Sequence, residues 1–354
     1  MPRTIWQPVS RSQDLAPGTV RPLTLLGERF ALFRTRAGRP GLLQTACPHR
    51  GTALHLGRVV EEALVCMHHG WGFGVNGGCT VRPDQGDPHR CRVSAPIVRE
   101  HLGLVFAWFG AGEPSALPRW PAFEVPGTLR VLPPEIWPCP FFLRLENSLD
   151  MAHLPSTHHD SGVGALVGAP RPPRVEVLPD GLRVEGDSEA PVPLEVRLLL
   201  PNALCFPTPV SPAAGWRDHL VWRVPVDDDH CLSFTLTHIP ADVPGAADLA
   251  HTEPLARPLD GSRVHELGDR VLRGEIPLAS LQGEPNLTEI EDYVALCGVE
   301  RDALGAPRAG EQLGPHDGPV RALRRRWEQA LRGEARLWAG APAVEEGPTT
   351  TRGG

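Results

Sequence analysis

Lysine is absent from this chain of 354 residues: all 35 basic residues are arginines, and against 42 acidic residues they leave a formal net charge of −7. The arginines are dispersed, so the sequence offers no basic stripe for nucleic-acid phosphates. The one cluster, Arg324-Arg325-Arg326, falls near the end of a helix-like stretch, where positive charge suits the helix dipole. Long apolar runs are missing too. The longest, such as Leu102–Phe109, have strand length, far below the roughly 20 residues of a membrane helix. The opening MPRTIWQPVS lacks the apolar core of a secretory signal. No internal repeat is visible. No G-x-G-x-x-G follows a strand-like segment, and Gly72-x-Gly74 is not a dinucleotide fingerprint. What remains is an ordinary globular composition, 41% hydrophobic and 22% charged, in a chain long enough for two domains. Six of the eight cysteines (Cys79, Cys91, Cys139, Cys205, Cys231 and Cys297) are scattered without the spacing of a disulfide framework, which points to a reducing cytoplasm.

The other two cysteines each travel with a histidine: Cys47-Pro-His49 and Cys66-Met-His-His69. Two thiolates can hold one iron of a [2Fe–2S] cluster and two neutral imidazoles the other. Exchanging thiolate for imidazole removes negative charge and raises the reduction potential, as in a Rieske centre. A zinc finger would instead group its histidines after both cysteines. His68 falls outside the C-x-x-H pattern and is expected to face outward. Cys79, in the glycine turn after the second loop, is expected to be a packed residue because the cluster needs only four ligands.

A second constellation is Asn147, Asp150, His153 and His158. The first three are spaced i, i+3, i+6, which places them on one side of a helix. Pro155 is expected to break that helix and let His158 bend back towards His153. Two histidines and a carboxylate make the facial triad of non-haem Fe(II) oxygenases, with positions open for O2. The carboxylate must come from elsewhere; resemblance to Rieske oxygenases points to a late helix, here the one carrying Glu291 and Asp292. Leu287, Ile290 and Val294 define that helix's apolar face, and Glu291 lies nearer its centre. Its plainer reading is a solvent-capping carboxylate at the face edge. His159 reads equally as a pocket wall or a solvent histidine.

Residues 5–110 resemble the N-terminal domain of Rieske non-haem iron oxygenases, through Trp6-Gln-Pro-Val, Leu25–Arg34, Cys47-Pro-His-Arg-Gly51, Cys66-Met-His-His-Gly-Trp-Gly-Phe73 and Gly77-Gly-Cys79. The N-x-x-D-x-x-H-x₄-H run looks like that family's mononuclear iron motif. Asp317–Gln329 resembles the closing helix of the ketosteroid 9α-hydroxylase branch, and the Asn147–His159 motif also resembles the pheophorbide oxygenases. The resemblance implies cluster ligands Cys47, His49, Cys66 and His69, and iron ligands His153, His158 and Asp292. It implies catalytic roles for Asp150 and Asn147, with Asp150 bridging His153 to His69 of a neighbouring subunit in a head-to-tail homotrimer. It implies O2 and a small apolar ring-containing substrate to be hydroxylated, demethylated or desaturated. With no dinucleotide motif in the chain, a separate NAD(P)H-dependent reductase or ferredoxin must supply the electrons.

The expected fold class is α+β. A small all-β domain (1–112) precedes a Pro/Gly-rich linker (113–120), a helix-grip domain with one curved antiparallel sheet (121–340) and a disordered tail (341–354). Two rivals remain from other classes. One is a Rieske electron carrier fused to a ligand-binding domain without a second iron; the other is a zinc-stabilised binding module.

Overall fold

The computed structural model describes residues 5–337 apart from 85–86, 88–90, 111, 118, 168–170, 188–193, 212–214, 244–260 and 301–309. The tail expected to be disordered lies outside the described residues. The chain divides into two compact units. One comprises residues up to Trp120 and takes in Val224–Asp228; the other runs from Pro121 to Arg223 and resumes at Asp229.

The first unit is all β. Its strands are β1 (Ile5–Arg11), β2 (Val20–Leu25), β3 (Glu28–Arg34), β4 (Pro40–Gln44), β5 (Arg58–Val60), β6 (Ala63–Val65), β7 (Gly72–Phe73), β8 (Cys79–Val81), β9 (Ile97–His101) and β10 (Leu104–Phe109). They form three antiparallel sheets ordered β1-β10-β9, β2-β3-β4 and β5-β6-β7-β8. Two hairpins close through Leu-Gly turns: Leu26 and Gly27 at φ 54° and 73°, Leu102 and Gly103 at φ 48° and 71°. Positive φ at both central residues matches the twist of the flanking strands. β1 contains Pro8, which its alternating pattern would not suggest for a strand. It survives at a sheet edge, paired only with β10 and bulged between Pro8 and Ser10. Buried Arg34 ties the sheets together, donating to the Leu15 carbonyl (2.6 Å) and to Glu100 (2.7 Å).

The second unit has one eight-stranded antiparallel sheet. Its strands are β11 (Gly127–Val131), β12 (Glu135–Trp137), β13 (Arg174–Leu178), β14 (Gly181–Glu185), β15 (Glu195–Leu199), β16 (Ala203–Ser211), β17 (Gly215–Pro225) and β18 (Cys231–Pro240). The order is β11-β18-β17-β16-β15-β14-β13, with β12 also pairing β18. Helices α1 (Phe141–Leu149) and α5 (Gly318–Leu331) pack Leu145, Leu149, Ala322 and Leu323 onto Leu182, Leu198, Leu204 and Val221 of the sheet. Helices α3 (Gly261–Leu272) and α4 (Leu287–Cys297) share a second core with Trp137. Between α1 and α3 lies a short α2 (Leu154–Thr157). This is the expected α+β arrangement, with a sheet gripping helices.

Three expectations need correction. The helix read through Asn147 to His153 is not continuous: α1 ends at Leu149, Asp150 is extended (φ −82°, ψ 92°), and Met151–His153 is a separate 3-10 turn. Pro155 is not the breaker either. It sits in the first turn of α2, where its missing N–H costs nothing. The arginine cluster does more than complement a dipole. Arg324 pairs with Glu146 of α1 (2.6 Å) and with Glu311 (2.5 Å), while Arg326 donates to the Leu178 and Pro179 carbonyls.

α3 meets α4 at Gly268, where a Cβ would lie 2.3 Å from the Tyr293 ring. Tyr293 cannot easily yield, because its hydroxyl donates to Asp269 (2.8 Å) and its ring packs edge-on against Trp137. Glycine to alanine inside a helix normally gains about 1 kcal/mol. Here overpacking of about 1–3 kcal/mol reverses the sign. Gly268→Ala is therefore expected to lower the urea midpoint, corresponding to a net loss of up to about 2 kcal/mol.

Candidate metal centres

The two cysteine-histidine loops leave β4 and β6 and are built alike. In one, Cys47 N–H donates to the Thr52 carbonyl (2.9 Å) and Gly51 N–H to the Cys47 carbonyl (2.7 Å). In the other, Cys66 N–H donates to the Trp71 carbonyl (2.8 Å) and Gly70 N–H to the Cys66 carbonyl (3.1 Å). Gly51 and Gly70 both sit at φ 75°, a left-handed conformation that only glycine takes without strain. The loops bring the buried Cys47 and Cys66 thiols into hydrogen-bonding contact. Burial pushes the Cys47 thiol up, while backbone N–H groups of His49 and Arg50 aimed at its sulfur oppose the rise.

His49 and His69 meet edge to face at 4.4 Å, and His49 stacks on Trp71 at 4.7 Å. Desolvation and the neighbouring His68, His49 and Arg50 hold His69 below the ordinary imidazole range, so it is neutral, as a metal ligand must be. Two sulfurs and two imidazoles brought together on these loops fit a Rieske cluster. His68 is exposed but not idle: its Nδ1 meets Thr52 Oγ1 (2.9 Å), linking one loop to the other. Cys79 contacts the Cys91 thiol, and Cys139 contacts the Cys297 thiol. The cysteines scattered in sequence are thus partly paired in space, all as free thiols.

In the second unit, His153, His158 and Asp292 offer ligand atoms all within 4.8 Å of one another. Asp292 Oδ1 lies 3.5 Å from Nε2 of both histidines. The opposite ring nitrogen of each histidine is occupied. His153 Nδ1 meets the Asp150 main-chain carbonyl, and His158 Nδ1 lies 3.0 Å from Glu291 Oε2. With the proton held on Nδ1, each Nε2 lone pair is left for a metal. Asn147 Nδ2 donates to Asp292 Oδ1 (3.1 Å) and orients the carboxylate. The donor set and spacing fit a non-haem iron.

Asp150 departs from the expectation that its carboxylate takes the His153 proton. Its carboxylate accepts Ala152 N–H (3.0 Å), capping the 3-10 turn, and its backbone carbonyl meets His153. Glu291 is not a solvent cap. It is 1% exposed and also accepts Ser161 N–H (3.0 Å). Sequence periodicity placed it inward correctly; what it could not supply was the partner. His159 faces solvent, 82% exposed beside Asp160.

Burial would raise Asp292, but hydrogen bonds from His153 and His158 overcome it and hold the carboxyl far below the usual range. Burial likewise opposes the charge on His158, yet Asp292 and Glu291 raise its pKa above the ordinary 6.5. Two groups had no signal in the sequence. Burial, helped by the Glu135 and Asp292 charges, pushes Glu289 up to about 7. Buried His219, hydrogen-bonded to Thr237 Oγ1 (3.0 Å), is pushed down to about 4.

Residues 5–98 match the family model of the Rieske [2Fe-2S] domain. These residues form a Rieske [2Fe-2S] domain. It is 34% identical over 271 residues to the phenoxybenzoate dioxygenase subunit alpha of Ectopseudomonas oleovorans, covering 66% of this chain and 63% of that one. It is 26% identical to the 5,5'-dehydrodivanillate O-demethylase oxygenase subunit of Sphingobium, covering 94% and 77%. The fold is shared with NdmA of Pseudomonas putida CBB5 (18% identity, 98% of each chain, TM-score 0.68) and with dicamba monooxygenase (18%, 94% and 98%, TM-score 0.64). Beyond that domain, the chain is similar to proteins named as oxygenase subunits and shares its fold with solved oxygenases.

In the metal-free protein, His158 is expected to titrate above 6.5 by NMR, and Glu291→Gln to bring it down. The sign follows from linkage. Folded His158 binds its proton more tightly than unfolded, so its contribution to stability is complete below pH 6.5. That contribution is lost as pH rises through the folded value. A His158 resonance titrating at or below 6.5 would contradict the double carboxylate contact.

Proposed function

We propose that this chain is the terminal oxygenase of a Rieske system, acting on a small ring-containing substrate with O2 and electrons from a separate reductase or ferredoxin. The observation that carries this reading is the converging His153–His158–Asp292 triangle in a chain that also holds the Cys47–His49 and Cys66–His69 loops. When bound, the cluster relays single electrons and the mononuclear iron activates O2. The chain's own residues set the geometry. Asp292 and the two Nε2 atoms would hold the ion. Asn147 aims Asp292, Glu291 fixes the His158 ring and the Asp150 carbonyl fixes His153.

The names of relatives support hydroxylation, demethylation or desaturation; they include a dioxygenase, an O-demethylase and a tert-butanol monooxygenase / tert-amyl alcohol desaturase. Residues 1–112 would serve the cluster and 121–340 the iron, joined by 113–120. Family resemblance supports a homotrimer in which Asp150 lies towards His69 of a neighbouring subunit. A cytoplasmic location fits eight free thiols, and among the described residues no helix is long and apolar enough to cross a membrane.

Asp292→Ala is expected to abolish product formation while a chemical reductant still bleaches the Rieske absorption. Cys66→Ser should lose that absorption. Glu291→Gln should weaken Fe(II) binding about 10–100-fold without touching the Rieske spectrum. Full turnover in Asp292→Ala would mean that another carboxylate holds the iron, whereas a wild type that binds no mononuclear iron would return the electron carrier to favour.

A further inference from the structure

Two arginines in the second unit, Arg144 buried and Arg223 half-buried, form no ion pair among the described residues. Arg223 on β17 donates from Nη1 to Ser233 Oγ on β18 (2.8 Å), and Ser233 is the cross-strand partner of Glu135 on β12. Along the same strand pair, Trp137 stands opposite Cys231, and the Arg144 guanidinium of α1 lies 3.3 Å from the Trp137 ring centroid. Both arginines therefore gather over one patch of one sheet face, and Arg223 lies within the field of Arg144, Glu135 and Asp292.

Buried charges are normally paired, because an isolated one bears the full cost of lost hydration. Among the described residues neither arginine forms an ion pair, and Nε of each is buried without a hydrogen-bond partner. The Glu135 carboxylate is hydrogen-bonded instead to Trp137 Nε1 (3.1 Å). Trp137 offers Arg144 a π face, which stabilises a cation without neutralising it. Arg223 keeps accessible surface, as does Asp292, whose side chain is 25% exposed, and the Asp292 charge is felt at Arg223. Arg144 stands one helical turn before Asn147, which holds Asp292.

Resting on the oxygenase reading above, we propose that Arg223, with Arg144 beside it, binds a carboxylate carried by the substrate. The ring-containing substrate is then an aryl carboxylate, anchored by its acid at the arginines. A planar guanidinium can take both oxygens of a carboxylate, and such charge-assisted pairs are among the stronger hydrogen bonds. Arg223 is the anchor because it is the more accessible of the two; Arg144, 5% exposed, adds field.

The test is calorimetric binding to the iron-loaded protein without reductase, so that no turnover occurs. The probes are benzoate, 3-phenoxybenzoate and 4-hydroxy-3-methoxybenzoate, each beside its neutral primary amide. At least one carboxylate should bind ten times or more tightly than its amide. Arg223→Gln should weaken that carboxylate roughly tenfold to hundredfold, leave the amide within about twofold and keep the iron content. Arg223→Lys should retain part of the preference. Equal binding of acids and amides by the wild type overturns the proposal, and that comparison stands even if Arg223→Gln fails to fold. So does a wild type that binds none of the carboxylates. An Arg223→Gln protein that weakens acid and amide alike, or loses iron, makes Arg223 a structural residue and also overturns it. A wild type that keeps the carboxylate preference but holds no mononuclear iron would instead overturn the oxygenase reading.

Discussion

His158 is gripped from both sides by two neighbouring acids of one helix, and the rest of the catalytic unit is arranged to make that possible. Consecutive helical residues point about 100° apart. Glu291 and Asp292 can therefore meet Nδ1 and Nε2 of the same ring only if the ring stands across the helix face. α2 delivers His158 in that attitude, with Ser161 N–H taking the second oxygen of Glu291. A carboxylate 1% exposed is costly unless its acceptor sites are filled, and here a ring nitrogen and a backbone N–H fill them. In the metal-free chain the two acids attract a proton to His158. A metal ion at Nε2 must displace that charge, so metal uptake and protonation compete at one ring.

Holding α4 in register is the work of the surrounding core. Tyr293, next to Asp292, is locked between Gly268, Asp269 and Trp137, while Leu287 and Ile290 are buried beneath. On the other side, α1 is fixed to α5 by the Glu146–Arg324 pair and by Leu145 and Leu149 in the sheet-facing core. Asn147 and Asp292 meet because both helices are anchored independently to the same sheet. The break at Asp150 then swings His153 and His158 round to the pair, which a straight helix through His153 would not do.

Ligand chemistry made both centres legible in the sequence. Thiolates and imidazoles have to appear at short, fixed spacing when a single loop delivers two of them, so Cys47–His49 and Cys66–His69 announced themselves. So did His153 and His158. The inward turn of Glu291 was legible from Leu287, Ile290 and Val294, but periodicity reports a face and not a partner. β11 and β12 give little strand signal because they are short and flanked by prolines, and β1 gives little because Pro8 sits within it. The i, i+3, i+6 spacing suggested a continuous helix because spacing is blind to the extended backbone at Asp150. Arg144 and Arg223 carried no signal at all. Arginine is the only long cation in this chain, and strand alternation does not say which face looks onto the interior.

The central claim is that one chain carries two separate iron sites with no shared ligand. Iron and acid-labile sulfide measured per chain on anaerobically prepared protein test it directly. The account predicts about three irons and two sulfides, the odd iron being the one without sulfide. Iron equal to sulfide at about two each in protein supplied with excess Fe(II), or zinc in place of iron, would contradict it.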